Sequence, residues 1–259
     1  MAQQTEALVL RSLPFGESDL ILHLLLPGSG RLTAIAKGAR RSVKRFSGTL
    51  DLFQHLRVTV DRRRSSSMAR LDQATLLRNF DALRVDPARF ALGCFLLELL
   101  DRLAPEGAAP ADAKRLFDFA LAALALIADR PVDPVLRTLL QLRALEALGL
   151  RPELRYCVRC GSEELGGPAV GFHVPDGGPV CPRCIREGES LLEVQLGTLR
   201  ALCQGMRFDL AQLHRLSLGP AMLAEARLLV GRFERFHVGV ELRSERFLEE
   251  MLGPGARPS

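Results

Sequence analysis

Four cysteines carry the most specific chemistry in the chain. Cys157-Val-Arg-Cys160 and Cys181-Pro-Arg-Cys184 are two C-x-x-C pairs separated by 20 residues. Each pair makes a tight turn that aims two sulfurs at one point, and two such turns supply the four thiolates of a tetrahedral zinc site. Two redox dithiols or an iron–sulfur cluster are the alternatives. Four protein ligands leave no open coordination position, so the expected metal is one structural zinc. The insert between the pairs holds Gly161, Gly166, Gly167, Gly171, Pro175, Gly177, Gly178 and Pro179. That composition is read as unable to build its own core, hence in need of a staple. Cys94 and Cys203 lie in helical patterns with apolar neighbours and are read as small buried hydrophobes.

A second group is basic. Lys37, Arg40, Arg41, Lys44 and Arg45 place five cations within nine residues, and no acid occurs between Asp19 and Asp51. Gly38 and Gly48 flank the run and let backbone approach a ligand closely. Arg62-Arg63-Arg64 and Arg70 make a further cluster. Residues 1–80 carry 13 Lys/Arg and six Asp/Glu, a net of +7, whereas the other 179 residues sum to −2. Such asymmetry suggests an anionic partner for the basic third, nucleic acid above all. The five cations are therefore candidate phosphate contacts. With no Trp and one Tyr in the chain, Phe15 and Phe46 are left for base stacking, and each is equally well read as core. Binding is expected to rest on phosphate charge, with weak sequence selectivity. A solvated loop is the plain alternative.

Common enzyme signatures are missing from the sequence. The chain has no G-x-x-x-x-G-K-[ST], G-x-G-x-x-G, H-E-x-x-H or G-x-S-x-G. Glu17-Ser18-Asp19 reads as a strand-start turn in which Ser18 or Asp19 bonds local backbone. His23 and His55 read as strand-face residues. A non-enzymatic binder is expected. The longest charge-free apolar run, Phe119–Ala128, falls short of the ~20 residues of a membrane span. The opening residues do not resemble a secretory signal, so a cytoplasmic location is expected.

Period-two alternation positions the basic group. It predicts strands over 5–13, 18–26, 31–37, 50–61 and 68–77, with turns at Pro27–Gly30 and Arg63–Ser67. Five strands in so short a stretch suggest a closed barrel, OB-type or SH3-like. Beyond residue 80 the period becomes helical. Asp86-Pro87 and Asp133-Pro134 are cap-and-proline starts, for helices ending near Leu103 and at Gly149. Further helices are expected over 111–128, 193–204, 209–217, 220–236 and 244–252, with a frayed tail from Gly253. The fold class is thus α+β: a basic barrel over 1–80, and a helical domain over 81–259 carrying the zinc finger at about 155–187. Arg137, Arg143, Arg227, Arg232 and Arg235 could rim an apolar pocket suited to a short acidic tail.

Three stretches together resemble the bacterial RecO recombination-mediator family. They are Glu6–Arg11, Pro14-Phe15-Gly16-Glu17-Ser18-Asp19 and Gly30–Arg41, followed in the same order by Leu97-Glu98-Leu99-Leu100-Asp101 and the cysteine pairs. The resemblance implies an N-terminal OB-fold and a helical C-terminal domain with a zinc finger. It implies binding of single- and double-stranded DNA, annealing of complementary strands and help in loading recombinase onto coated strands. Implied partners are RecR and the acidic C-terminal tail of the single-stranded-DNA-binding protein, in a cytoplasmic, nucleoid-associated setting. Lys37, Arg40 and Arg41 match the family's basic motif, and Lys44 and Arg45 extend it by charge. An RNA-binding or transcription-associated zinc-ribbon protein is the competing reading.

Overall fold

The alternating stretches become five strands in the computed structural model, which describes residues 2–46, 48–61, 68–239 and 241–252. In chain order they are β1 (Ala2–Phe15), β2 (Asp19–Leu26), β3 (Gly30–Ala36), the one-turn helix α1 (Val43–Phe46), β4 (Gln54–Asp61) and β5 (Ala69–Asn79). They close into a barrel with order β1-β2-β3-β5-β4, sealed by antiparallel pairing of β1 with β4. Only β3 and β5 run parallel. Leu22, Leu24, Leu26, Ala34, Ala36, Leu56, Val58 and Val60 point inward and are buried. A slip of one residue in any strand would turn that set to water, so the hydrophobic pattern pins the register. The predicted Arg63–Ser67 turn, Arg62 beside it and the Gly253–Ser259 tail lie outside the described residues.

The fourth strand is shorter than its pattern. It begins at Gln54 because Phe53 takes a positive φ of 65°. That is uncommon for a residue with a side chain. The reversal drives the Phe53 ring into the core, edge-on to Phe90 at 5.7 Å between centroids. Gly93 makes room for it: a Cβ there would come within 2.9 Å of the ring.

Helices follow as α2 (Ala82–Val85), α3 (Pro87–Leu103), α4 (Pro110–Asp129) and α5 (Pro134–Ala147). Asp86 accepts a hydrogen bond from the Arg89 N–H at 2.8 Å, and Asp133 accepts one from the Leu136 N–H at 2.7 Å. Both are the expected caps with proline at the first helical position. Gly149, just past α5, has φ +84°, a left-handed helix stop. Then come β6 (Ala169–His173), β7 (Gly178–Val180), β8 (Leu192–Gln195), α6 (Leu196–Arg207), α7 (Pro220–Val238) and α8 (Arg243–Leu252).

Three expectations need correction here. The cysteine insert does have a core: β6 and β7 pair antiparallel, β8 adds to the other edge of β6, and Leu165, Val170, Phe172 and Val180 are buried. The helix expected from residue 193 starts at Leu196, because Leu192–Gln195 is drawn into that sheet. The stretch 209–217 forms a 3₁₀ segment, Leu210–Arg215, rather than an α-helix. The chain separates into two compact units, one running to Pro131 and resuming at Leu242, the other spanning Val132–Glu241.

Candidate functional site

The four cysteines converge. Their sulfurs all lie within 4.8 Å of one another, and Cys160 Sγ and Cys181 Sγ are 3.7 Å apart. A tetrahedral site with metal–sulfur bonds of ~2.3 Å has sulfurs about 3.8 Å apart, so the donor set fits a metal ion. Local backbone makes the knuckles. The Gly161 N–H donates to the Cys157 carbonyl at 2.8 Å, and the Cys184 N–H to the Cys181 carbonyl at 2.8 Å. Burial opposes ionisation of Cys157, but N–H groups of Cys181, Cys160 and Arg159 outweigh it and bring the thiol down to about 6. Neighbouring sulfurs push Cys184 up to about 12. Four such thiols gathered at one point can all ionise only beside a cation.

Arg159, inside the first knuckle, ties the module together. Its guanidinium donates to Glu189 at 2.6 and 2.8 Å, to Asp176 at 2.9 Å and to the Cys184 carbonyl at 2.7 Å. It thereby links the first knuckle to the second and to the β6–β7 turn. No spacing or periodicity signals this role. Glu153 supplies a further brace by accepting from the N–H groups of Leu154, Arg155 and Tyr156.

The basic run forms a loop from the end of β3 through α1. Lys37, Arg40, Arg41 and Lys44 are exposed. Arg41 makes only a loose 3.5 Å pair with Glu17, both groups lying largely in water. Arg45 is used differently. Its guanidinium donates to the Lys37 carbonyl at 2.6 Å and to Ser42 Oγ at 3.3 Å, and lies 5.0 Å from the centre of the Phe46 ring. The β1–β2 turn supports the loop: the Gly38 N–H donates to Asp19 Oδ1 at 2.7 Å and the Arg40 N–H to the Ser18 carbonyl at 2.9 Å. Asp19 thus bonds backbone 19 residues away, not the local backbone expected. Arg62, Arg63 and Arg64 lie outside the described residues.

The two phenylalanines part company. Phe46 is 1% exposed and belongs to the barrel core, so it cannot stack a base. Phe15 is 50% exposed at the end of β1. Beside it the outer sheet surface carries a row that the alternation did not single out. Leu13, Ile21, Ile35 and Arg70 are successive neighbours across β1, β2, β3 and β5. The three aliphatics are half-buried and outside the barrel core. Ile35, standing among Arg31, Thr33 and Lys37 on the polar face, was the available signal.

Two further groups were hidden in the sequence. Asp101 on α3 is nearly buried, and its carboxylate meets His23 Nδ1 at 2.5 Å with Arg31 at 3.7 Å and Arg11 at 3.9 Å. Burial resists the charge on Asp101, but the hydrogen bond and charge of His23 and the two arginines hold the carboxyl below its ordinary value. His55 pairs with Glu6 at 2.9 Å. Of the five arginines expected at a pocket rim, Arg227, Arg232 and Arg235 lie on α7, with Arg232 and Arg235 exposed, while the other two are drawn inward. Arg137 is buried, and Arg143 donates to the carbonyls of Met206 and Phe208 at the end of α6. Instead a cleft of about 590 Å³ lies between α6 and the cysteine module, lined by Leu154, Arg155, Leu196, Arg200, Cys203 and Arg207 among others. Cys203 and Cys94 are half-buried, and burial raises the Cys94 thiol to about 11.

Comparison with known proteins finds relatives over nearly the whole chain. The family model described as Recombination protein O N terminal matches residues 1–80, and that described as Recombination protein O C terminal matches residues 84–246. A DNA repair protein RecO of Anaeromyxobacter sp. is 36% identical over 246 residues, covering 95% of each chain. The protein of that name from Symbiobacterium thermophilum is 33% identical over 249 residues, covering 95% of this chain and 96% of its own. The one from Bacillus subtilis is 28% identical over 251 residues, covering 97% and 95%.

Proposed function

The chain belongs to the RecO family, and on that premise we propose that it is a DNA-binding recombination mediator acting in DNA repair. The observation that carries this reading is the loop after β3, which presents Lys37, Arg40, Arg41 and Lys44 to solvent beside the aliphatic row and Phe15. Cations track phosphates, and the exposed ring and aliphatic side chains give unstacked bases an apolar surface. Arg45 is assigned to hold the loop, and its contribution to phosphate binding comes through shape as well as charge. The barrel is proposed to be of OB type, a reading supported by its order β1-β2-β3-β5-β4 and its one parallel pair. Residues 1–80 are the proposed DNA-binding domain and 81–259 the helical domain, with the zinc finger at about 155–187.

The proposed chemistry is annealing without a bond made or broken. Two bare strands repel through their phosphates, and several cations laid along one strand lower that repulsion for the second. Pairing is itself downhill, so no nucleotide hydrolysis is needed. Cys157, Cys160, Cys181 and Cys184 are proposed to hold one structural zinc, which would supply charge neutralisation to the thiolates. On coated strands the protein must also be recruited. The cleft between α6 and the cysteine module is lined by Leu154, Leu196, Arg200 and Arg207, and by Arg155, which pairs with Glu163 at 3.0 Å. Its remaining basic excess suits the acidic tail of the single-stranded-DNA-binding protein. RecR and the RecA recombinase complete the proposed partners. The setting is cytoplasmic and nucleoid-associated; no helix among the described residues is long and apolar enough to cross a membrane.

Annealing of complementary oligonucleotides, bare or coated with the cognate single-strand-binding protein, tests this. Without ATP, the protein should accelerate both. Removing the coating protein's acidic tail should slow the coated reaction far more than the bare one. A coated reaction unaffected by loss of the tail, or no acceleration at all, would contradict the mediator reading.

A further inference from the structure

We infer that Asp19 is a positioning residue for phosphate binding, and that an acid beside the basic loop strengthens its hold on DNA. This rests on the proposed DNA-binding role of the loop. The inference comes from how the loop is held. Five cations in nine residues repel one another, and a free loop of this composition would spread them. In the structure the loop is fixed at its start. The Gly38 N–H meets Asp19 Oδ1 at 2.7 Å, with Gly38 at φ +65°, and the next bond runs from the Arg40 N–H to the Ser18 carbonyl at 2.9 Å. Ser18 Oγ donates to the same Asp19 oxygen at 3.2 Å. From the other side the Arg45 guanidinium closes on the Lys37 carbonyl at 2.6 Å. The single peptide group that joins Lys37 to Gly38 is thus held at its N–H by a carboxylate and at its C=O by a guanidinium. The two groups fix the direction in which Lys37, Arg40 and Arg41 leave the backbone.

This runs against simple charge counting. If only Coulomb repulsion mattered, removing an acid several ångströms from a bound phosphate would tighten binding by about twofold in water. If Asp19 orders the loop, its removal lets the cations scatter. Fewer phosphates are then neutralised at once, and the salt dependence flattens as affinity drops.

The test is anisotropy titration of a labelled oligo(dT) across a salt series, using the full chain. Asp19→Ala should bind roughly tenfold more weakly at low salt, with a log–log slope shallower by about 0.7 to 1.4, the value of one or two contacts. Asp19→Asn keeps an oxygen that can accept from Gly38 and should stay within about threefold of the parent, with its slope. Gly38→Ala attacks the donor side, since its Cβ would crowd the Arg45 guanidinium at 3.3 Å on a backbone that favours glycine. It should flatten the slope as Asp19→Ala does, which keeps the test open should the first variant fold poorly. Equal or tighter binding by Asp19→Ala overturns the inference. So does weaker binding at an unchanged slope, a full slope in Gly38→Ala, or an Asn variant as weak as the Ala variant. A Lys37→Glu/Arg40→Glu double variant, run alongside, separates the two levels. If it binds like the parent, the DNA-binding role of the loop itself is wrong. If it loses binding while Asp19→Ala keeps its full slope, only the role of Asp19 is wrong.

Discussion

Asp101 is a buried acid with three basic partners. Its carboxylate is 6% exposed and answers His23, Arg31 and Arg11 at once. Cutting one partner from a buried ionic cluster leaves the others uncompensated, so Asp101→Asn should cost about 3 kcal/mol in denaturant unfolding. The sign with pH follows from the lowered carboxyl. The contribution is fully present above the ordinary carboxylate value of 3.8 and is lost as pH falls below it through the lower folded value. The variant should therefore show a flatter acid limb, and an identical acid limb would contradict this. Little of this was legible beforehand. His23 and Asp101 are 78 positions apart, and no periodicity links a strand histidine to a helix acid. Asp19 was read as a local turn residue for the same reason, its partner Gly38 being out of local range. Phe46 illustrates the converse: composition alone allowed stacking or core, and only packing decides that its ring fills the barrel.

Elements are most legible where one period dominates. The β1–β5 alternation and the two Asp-Pro helix starts were visible because burial on one face and a cap at the first turn leave marks in adjacent residues. The cysteine module is only half legible. Its ligand spacing was plain, but β6 and β7 are short and interrupted by Gly171, Gly177, Gly178 and Pro179, so their alternation was drowned by turn residues. Close packing explains Gly171 and Gly178, and a φ of +77° explains Gly177. A Cβ on Gly178 would meet Val158 at 2.2 Å, and one on Gly171 would meet Leu191 at 2.6 Å. The proposed zinc would add a second restraint to this small core. Cys157→Ser, or a strong chelator at mildly acid pH, should strip the proposed zinc and speed amide exchange across residues 153–190. DNA affinity at low salt should change by less than about threefold, because a closed structural site contacts no substrate. Elemental analysis finding no metal in protein purified without chelator, or unchanged exchange in the variant, would refute the staple.

Taken whole, the molecule concentrates its basic excess in one third of the chain, with +7 over residues 1–80 against −2 over the rest. That division was legible from composition, and the loop after β3 shows where much of the excess is displayed. The aliphatic row and Phe15 were not, because they depend on which strands are neighbours. The most direct measurement is the salt dependence of single-strand binding by the parent and by a Lys37→Glu/Arg40→Glu/Arg41→Glu triple variant. Five or six phosphate contacts give the parent a log–log slope of roughly −4, and the loss of three should bring it to about −2. The fall in affinity should be alike for oligo(dT) and mixed sequences, since phosphates carry no sequence information. Parent-like affinity and slope in the triple variant at low salt would show that DNA does not bind at this loop.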